Sequence, residues 1–546
     1  MEHPMVSKGR PASVFAEASC HHIGTGSDAV MTAYVASFTS ENLRRLLEEE
    51  FPGLLPQNMR ATPRLGLGVR MLFTLSALLE GITRVKCLAD FQLSAGREFS
   101  LKEVVEAASG RYPEWLGHTG LDAATLYGTI AKECFKFGRS TYGTEIDHAI
   151  VSPEPSAAIT RIRGHVSRSV SHPIRADEAG LEDSIDYNRR IIDQATGTGF
   201  VVGITTDTSA LFREEVDDTA SWPKERLRAE YEAAVPPGER ETLAEYYHPD
   251  VPHAIADPAS GRTSDLTFSE EELLRLTVKF RQSLLVNKRL HEHMAAMMRG
   301  RSFTFEPSLD EAYKSLTTEK ELFFYLAESE RFGMKADLIA PNVGFRKRED
   351  YNGDLGDLEQ RVGKLAAVAY HFGAILDFHS GSDKRVEVYQ AISRACNGKL
   401  KLKMSGVYQL LYFQTLASFR QGTEERRLFE RMWEYTLHYA ERQAHGGDHT
   451  ARQMLQEIRN RIQSARKSRR MLNRSPKDDF FRYYSFITVA AKNKQGRHIF
   501  RNTLYRLAEK PRVAEKYNRK VVELTVRVAK ALGLEQSEQT YVGSLP

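Results

Sequence analysis

Three short segments set acids and an imidazole at the ends of apolar runs, an arrangement in which a strand mouth can hold a metal or move a proton. The first is Asp377-Phe378-His379-Ser380-Gly381-Ser382-Asp383-Lys384. Its imidazole can ligate a metal, and Ser-Gly-Ser lets the backbone approach an anionic or polyhydroxylated ligand. The second is Thr144-Glu145-Ile146-Asp147-His148. Strand alternation sets Glu145 and Asp147 on one face and Ile146 and His148 on the other, unless the strand ends near Asp147 and His148 turns inward too. Asp147 would then be a carboxylate base and His148 a nitrogen ligand at one mouth. The third, Phe303-Thr304-Phe305-Glu306, closes on an acid that suits a metal ligand, an acid or a base, while Asp310 and Glu311 read as carboxylates of a helix N-terminus. Each histidine has a plainer reading as a core imidazole bonded to a carbonyl, but two Asp/His strand ends in one chain favour a mononuclear metal site. Asp207, in Ile204 to Thr208, reads either as a weaker site or as an Asx-type turn.

These segments sit in a repeating pattern. Apolar or β-branched runs at 145–151, 199–205, 303–306, 336–340, 374–378 and 400–404 end abruptly in polar residues. The last four recur every 25 to 40 residues or so, with helical periodicity over 318–332, 357–372 and 384–396 between them. Strand, helix, strand at that interval implies parallel pairing, with function gathered at the C-terminal strand ends. The expected fold is an α/β, TIM-like (β/α) barrel with added N- and C-terminal helices and a long loop insertion. Its expected parts are an N-terminal extension over 1–60, a barrel over 61–410 with a helical insertion near 212–300, and a helical region over 411–546 packed on the barrel. The first 140 or so residues read mainly as helices, among them 40–50 and 101–108, with room for short strands between them.

Composition narrows the classes. The 546 residues are 41% hydrophobic and 27% charged, with a formal net charge of +4 spread along the chain, so nucleic acid is not an implied partner. The four cysteines lie far apart, without the spacing of a zinc knuckle or redox pair, which suits a reducing, cytoplasmic setting. No run of about 18 apolar residues suggests a membrane span. GxGxxG after a strand, the phosphate-loop motif, GxSxG and HExxH are all missing. His291-Glu292-His293 places its histidines at i and i+2, which do not share a helix face.

Several segments together resemble the tagaturonate/fructuronate epimerase family. They are Thr62 to Gly68, Asp147-His148, Phe200 to Thr208, Phe305 to Glu311, Ile339 to Gly344 with Asp350-Tyr351, Phe378 to Lys384, and Asp479 to Phe486. The resemblance spans roughly residues 60 to 515. It implies a hexuronate epimerase using one divalent cation, with zinc, nickel, cobalt and manganese all open. Carried over, Asp147 is the proton acceptor, Glu306 the opposing donor, and His148 and His379 metal ligands. A keto-uronate or keto-sugar is the implied substrate, with Asn342, Asp383, Lys384 and Lys403 as expected contacts and Lys384, Lys403 and Arg346 as partners for its carboxylate.

Two departures from the family pattern stand out. Val69 to Phe73 replaces an acidic, Gly/Pro/His-bearing turn, and Lys401 stands where the pattern has His. An ammonium repels a cation, so the metal would need another group, such as Glu306 or Asp383. The inverted carbon of a keto-uronate lies β to the ketone, so one expected route is retro-aldol cleavage begun by Asp147, followed by re-addition; its rival is direct deprotonation between Asp147 and Glu306. A metal-dependent aldolase and a catalytically impaired sugar-binding relative are the competing functions.

Overall fold

A computed structural model describes residues 19–24, 30–35, 39–94, 121–152, 178–256 and 261–543, apart from short breaks within the last span. Eight strands carry the fold: β1 (Arg64–Gly68), β2 (Ala89–Ser94), β3 (Gly143–Ile150), β4 (Gly203–Asp207), β5 (Thr304–Ser308), β6 (Leu338–Ile339), β7 (Ile375–Phe378) and β8 (Leu400–Met404). Every neighbouring pair is parallel, in the order β6-β7-β8-β1-β2-β3-β4-β5. A parallel bridge from Ser308 to Ala340 joins β5 to β6 and closes the barrel.

Helices follow the strands: α1 (Leu75–Arg84), α2 (Ala123–Lys136), α3 (Glu178–Gly197), α4 (Glu270–Met298), α5 (Glu319–Arg331), α6 (Leu355–His371), α7 (Val386–Ala395) and α8 (Gly406–Ala417). Capping boxes at Ser269/Glu272 and Thr318/Glu321 start α4 and α5, satisfying amide donors that a helix start leaves open. The segment expected as an insertion holds two helices, Lys224–Ala234 and Pro237–Tyr246, and a hairpin pairing His253–Ala256 with Thr263–Leu266. Its last part is α4, which packs against α3 and α5 as a member of the helical ring. Beyond α8 come α9 (Glu424–His445), α10 (His449–Lys467), α11 (Asp479–Tyr484) and α12 (Pro511–Ala531). The last lies on α1, α7 and α8, where Tyr517 Oη meets Thr74 at 2.9 Å and donates to the Tyr408 carbonyl at 3.1 Å. Among the described residues no helix is long and apolar enough to cross a membrane.

The TIM-like barrel is as the sequence predicts, but two of its strands lie where helices are expected. Arg64-Leu-Gly-Leu-Gly68 and Ala89-Asp-Phe-Gln-Leu-Ser94 hide because their inward positions carry Arg64, Gly66, Gly68, Asp90 and Gln92. The helix expected over 101–108 falls outside the described residues. Outward side chains such as Leu65, Leu67, Phe91, Ile146, Phe305 and Leu402 join the buried apolar layer beneath the helices. Inside, where such barrels usually stack Val, Ile and Leu, this one stacks ionisable groups. Gly66 makes room for them: a Cβ there would stand 3.0 Å from Lys403 Cγ and 3.2 Å from Lys401 Cε.

Gly66→Val therefore is expected to push both lysines from their positions and cost about 1–3 kcal/mol of stability, read by urea denaturation. A wild-type midpoint would refute the crowding.

Candidate active site

Alternation in β8 sends Lys401 and Lys403 into the barrel while Leu400, Leu402 and Met404 face the helices. Lys401 is 0% exposed. Its Nζ lies 2.7 Å from Glu145, 3.2 Å from Glu306, 3.2 Å from Asp377 and 3.5 Å from Asp90. One layer higher, Lys403 Nζ donates to Asp147 at 2.8 Å, Thr205 Oγ1 at 2.7 Å and Glu306 at 3.0 Å. Arg64 pairs with Asp90 beneath them. Burial alone would lower both ammonium pKa values, but the carboxylates around them reverse the shift and raise both. Burial and the adjacent Glu306 push Asp377 the other way, up to about 7, against the pull of the two lysines.

The mouth is shaped by a backbone irregularity. The β3/β4 register shifts between Ile146 and Ala149, and His148 takes φ 48°, a left-handed conformation that is uncommon outside glycine. This bulge cancels the alternation, so Asp147 and His148 both line one cavity. The strand does not end near Asp147; it runs on to Ile150 past the bulge. From β7, His379 reaches the same cavity with its ring 4.8 Å from that of His148. Its Nε2 lies 2.7 Å from Glu306 and its Nδ1 3.1 Å from Asp310. Burial and Lys403 act to lower the His379 pKa, but Asp310 and Glu306 prevail and push it up to about 10. Burial would raise Asp147, yet His148, Lys403 and His379 hold its carboxyl far below the usual range.

The expected residues separate into two groups. Asp147, His148, His379, Asp383 and Lys403 meet at the cavity, joined by Asp310. Glu306, 0% exposed, is not part of the cavity lining; it sits under His379 and Lys403 and reaches the mouth through them. Asn342 and Lys384 are not brought to the cavity. The Asn342 amide donates to the Ala312 and Ser315 carbonyls, and its oxygen accepts from Gly344 N, so it shapes the loop after β6. Lys384 turns into its own loops, donating to the carbonyls of Arg346, Glu349, Ser380 and Ser382. Asp207 accepts from Ser209 N at 3.1 Å, the expected Asx-type turn, and also stands 3.8 Å from His148 Nδ1. Part of the cavity lining was missed: Arg70, Lys347, Gln409 and Arg482 belong to it, while Arg346 does not. Arg70 was in view only as a departure from a motif, and no local spacing ties it to Arg482, more than 400 positions away.

A family model for tagaturonate epimerase matches residues 185–528. The chain belongs to that family. It is accordingly an isomerase, a hexuronate epimerase. Among solved structures it is similar to the native fructuronate-tagaturonate epimerase of Cohnella laeviribosi, at 18% identity and TM-score 0.63, covering 97% of this chain and 92% of that one. A form of the same Cohnella laeviribosi enzyme complexed with two glycerol molecules gives 17% identity and TM-score 0.64, covering 97% and 91%. At such identities the likeness shows the shared fold. No curated protein sequence matches the chain.

For this epimerase, the divalent ion implied by the resemblance can be tested against the residues present. Glu306, Asp377 and His379 bring ligand atoms within 4.8 Å of one another. The lysine ammonium groups already stand 3.0 and 3.2 Å from Glu306 and 3.2 and 3.7 Å from Asp377, so the barrel floor has its cations. His148, His379, Asp147 and Asp310 line the mouth together, a donor set that suits a divalent transition ion once His379 gives up its proton and one of its contacts to Glu306 and Asp310. Among the described residues the buried His148 Nδ1 has no hydrogen-bond partner and lies 3.8 Å from Asp207. Lys401 does not line the mouth, because its charge is taken up by acids at the floor.

Removing one buried charge strands the others. Lys401→Met in the epimerase is expected to lose roughly 3–5 kcal/mol at pH 7, with part recovered on adding Asp377→Asn; no loss in urea denaturation would refute the floor network.

A second expectation concerns pH. An imidazole with a raised pKa stabilises the fold fully below its unfolded value of about 6.5, and the contribution disappears as pH rises through about 10. In chelator, Tm should fall between those values more steeply for the wild type than for His379→Gln. Equal slopes would show that His379 is not held by Glu306 and Asp310.

Proposed function

We propose that the protein interconverts tagaturonate and fructuronate, or a closely related keto-sugar acid pair, by breaking and remaking the bond at the inverted carbon. The observation that carries this reading is the Lys403 ammonium, which lies at the cavity and bonds both members of the expected acid/base pair, Asp147 and Glu306. Asp147, kept ionised by His148, Lys403 and His379, accepts the proton of the hydroxyl on the inverted carbon. The adjacent carbon–carbon bond breaks, its electron pair passing into an enediolate on the ketone fragment and leaving an aldehyde. The aldehyde turns over and the enediolate carbon re-adds to its other face.

The new alkoxide then needs a proton. Glu306 is itself held ionised, burial being outweighed by Lys401, Lys403 and His379, so the proton on that side belongs to the Lys403 ammonium. Glu306 holds that ammonium in place and favours its charged form, and the proton left on Asp147 restores the pair. We assign His148 and His379 as the residues that hold a divalent ion, with Asp147 or Asp310 adding oxygen. A divalent ion at the mouth would supply Lewis-acid polarisation of the ketone oxygens and charge to offset the enediolate. Asp383, on the cavity rim, is assigned to the substrate's hydroxyls.

The reading is tested by proton NMR of purified protein with tagaturonate and with fructuronate, alongside metal analysis of wild type, His148→Ala and His379→Ala. Interconversion by the wild type, a stoichiometric metal missing from both histidine variants, and a loss of at least about 100-fold in kcat for Asp147→Asn are expected. Solvent deuterium at the inverted carbon would refute cleavage in favour of direct deprotonation. Accumulation of free fragments would make the protein an aldolase.

A further inference from the structure

We infer that Arg70, Arg482 and Gln409, with the first turn of α8, form a carboxylate-binding wall that selects sugar acids over neutral sugars. The inference rests on the keto-uronate reading for the reaction, but it concerns other residues of the cavity. Besides Asp147, Asp310, Asp383, the two histidines, Lys347 and Lys403, the lining holds two guanidinium groups, Arg70 and Arg482, with the neutral Ser405, Gly406 and Gln409. A sugar with a carboxylate at one end matches those donors.

The wall is built from three distant parts of the chain. Arg70 follows β1, and its Nε donates to Ser405 Oγ at 3.1 Å and its Nη1 to Gln409 Oε1 at 3.3 Å. The guanidinium lies at the start of α8, where a Cβ on Gly406 would lie 3.7 Å from Arg70 Nη1. Ser405 gives α8 no side-chain cap; Tyr408 N turns back to the Ser405 carbonyl at 3.2 Å, so the first-turn amides that can meet an anion are those of Gly406 and Val407. Gln409 adds an independent sign: it is 3% exposed, lines the cavity, and its Nε2 has no hydrogen-bond partner among the described residues. A buried amide donor without an acceptor is costly, and a ligand oxygen would satisfy it. Arg482, on α11, brings the second guanidinium, and the planar fork suits a carboxylate.

Isothermal titration of the full chain with D-gluconate, D-glucitol and D-glucitol 6-phosphate tests the wall without turnover. Gluconate is expected to bind at least about tenfold tighter than glucitol. Arg482→Ala and Gln409→Leu should each weaken gluconate about tenfold while leaving glucitol within about twofold. Should Arg482→Ala fail to fold by circular dichroism, Gln409→Leu and Arg482→Gln carry the test. In kinetics with tagaturonate both variants should raise KM about tenfold with kcat within about threefold. Equal binding of gluconate and glucitol by the wild type, or an undiminished preference in the variants, overturns the proposal. Tighter binding of the phosphate than of gluconate overturns the carboxylate assignment. A wild type that prefers gluconate yet leaves tagaturonate unchanged supports the wall and counts against the reaction reading.

Discussion

Two ammonium groups held inside a ring of carboxylates set the terms for the rest of this molecule. Lys401 and Lys403 are buried in the barrel with Asp90, Glu145, Asp147, Glu306 and Asp377 around them, each acid arriving from a different strand or layer. A buried charge is tolerated only where partners meet it at hydrogen-bond distance. The network therefore demands eight strands in one register, a glycine at position 66 where the lysine stems pass, and an apolar layer pushed entirely to the outside of the sheet. A small displacement of one strand would expose several unpaired charges at once.

The same network prepares the mouth. Lys403 links floor to cavity, holding Asp147 and Glu306 by one ammonium and favouring the ionised form of both. The bulge in β3 then supplies what a regular strand cannot, two consecutive side chains on one side. A left-handed His148 is strained for a residue with a side chain, and strain of that kind persists only where the surroundings hold it. Here the barrel wall does so, setting the His148 ring 4.8 Å from that of His379.

The C-terminal helices are part of this architecture rather than an appendix to it. α12 covers α1 and α8, and α11 brings Arg482 to the cavity, with Ser485 and Phe486 just after it. The reacting groups thus come from the barrel, while part of the cavity lining depends on how a separate helical layer docks. Changes in that layer can alter which sugar is held without touching Asp147.

The sequence by itself determined the barrel class, the strand mouths and four residues of the cavity that act through local context: Asp147, His148, His379 and Asp383. Each lies at the end of a short apolar run beside small or acidic neighbours, so its chemistry is written within a few residues. Lys403, too, was legible as a cation near a strand end, though it stands within β8 and bonds Asp147 and Glu306. What tertiary structure alone decided is of longer range. The first two strands carry charge and glycine on their inner face, which erases the apolar alternation by which strands are read. Asn342 and Lys384 have the types of ligand-binding groups, but carbonyls of neighbouring loops take up their donors. Glu306 lies one layer below the cavity, and Lys401 proves to be a floor cation rather than a displaced ligand, because depth in a barrel depends on strand stagger that no single segment records. Arg70, Gln409 and Arg482 meet only when β1, α8 and α11 close on one another, a convergence that arises from packing and leaves no mark on local spacing.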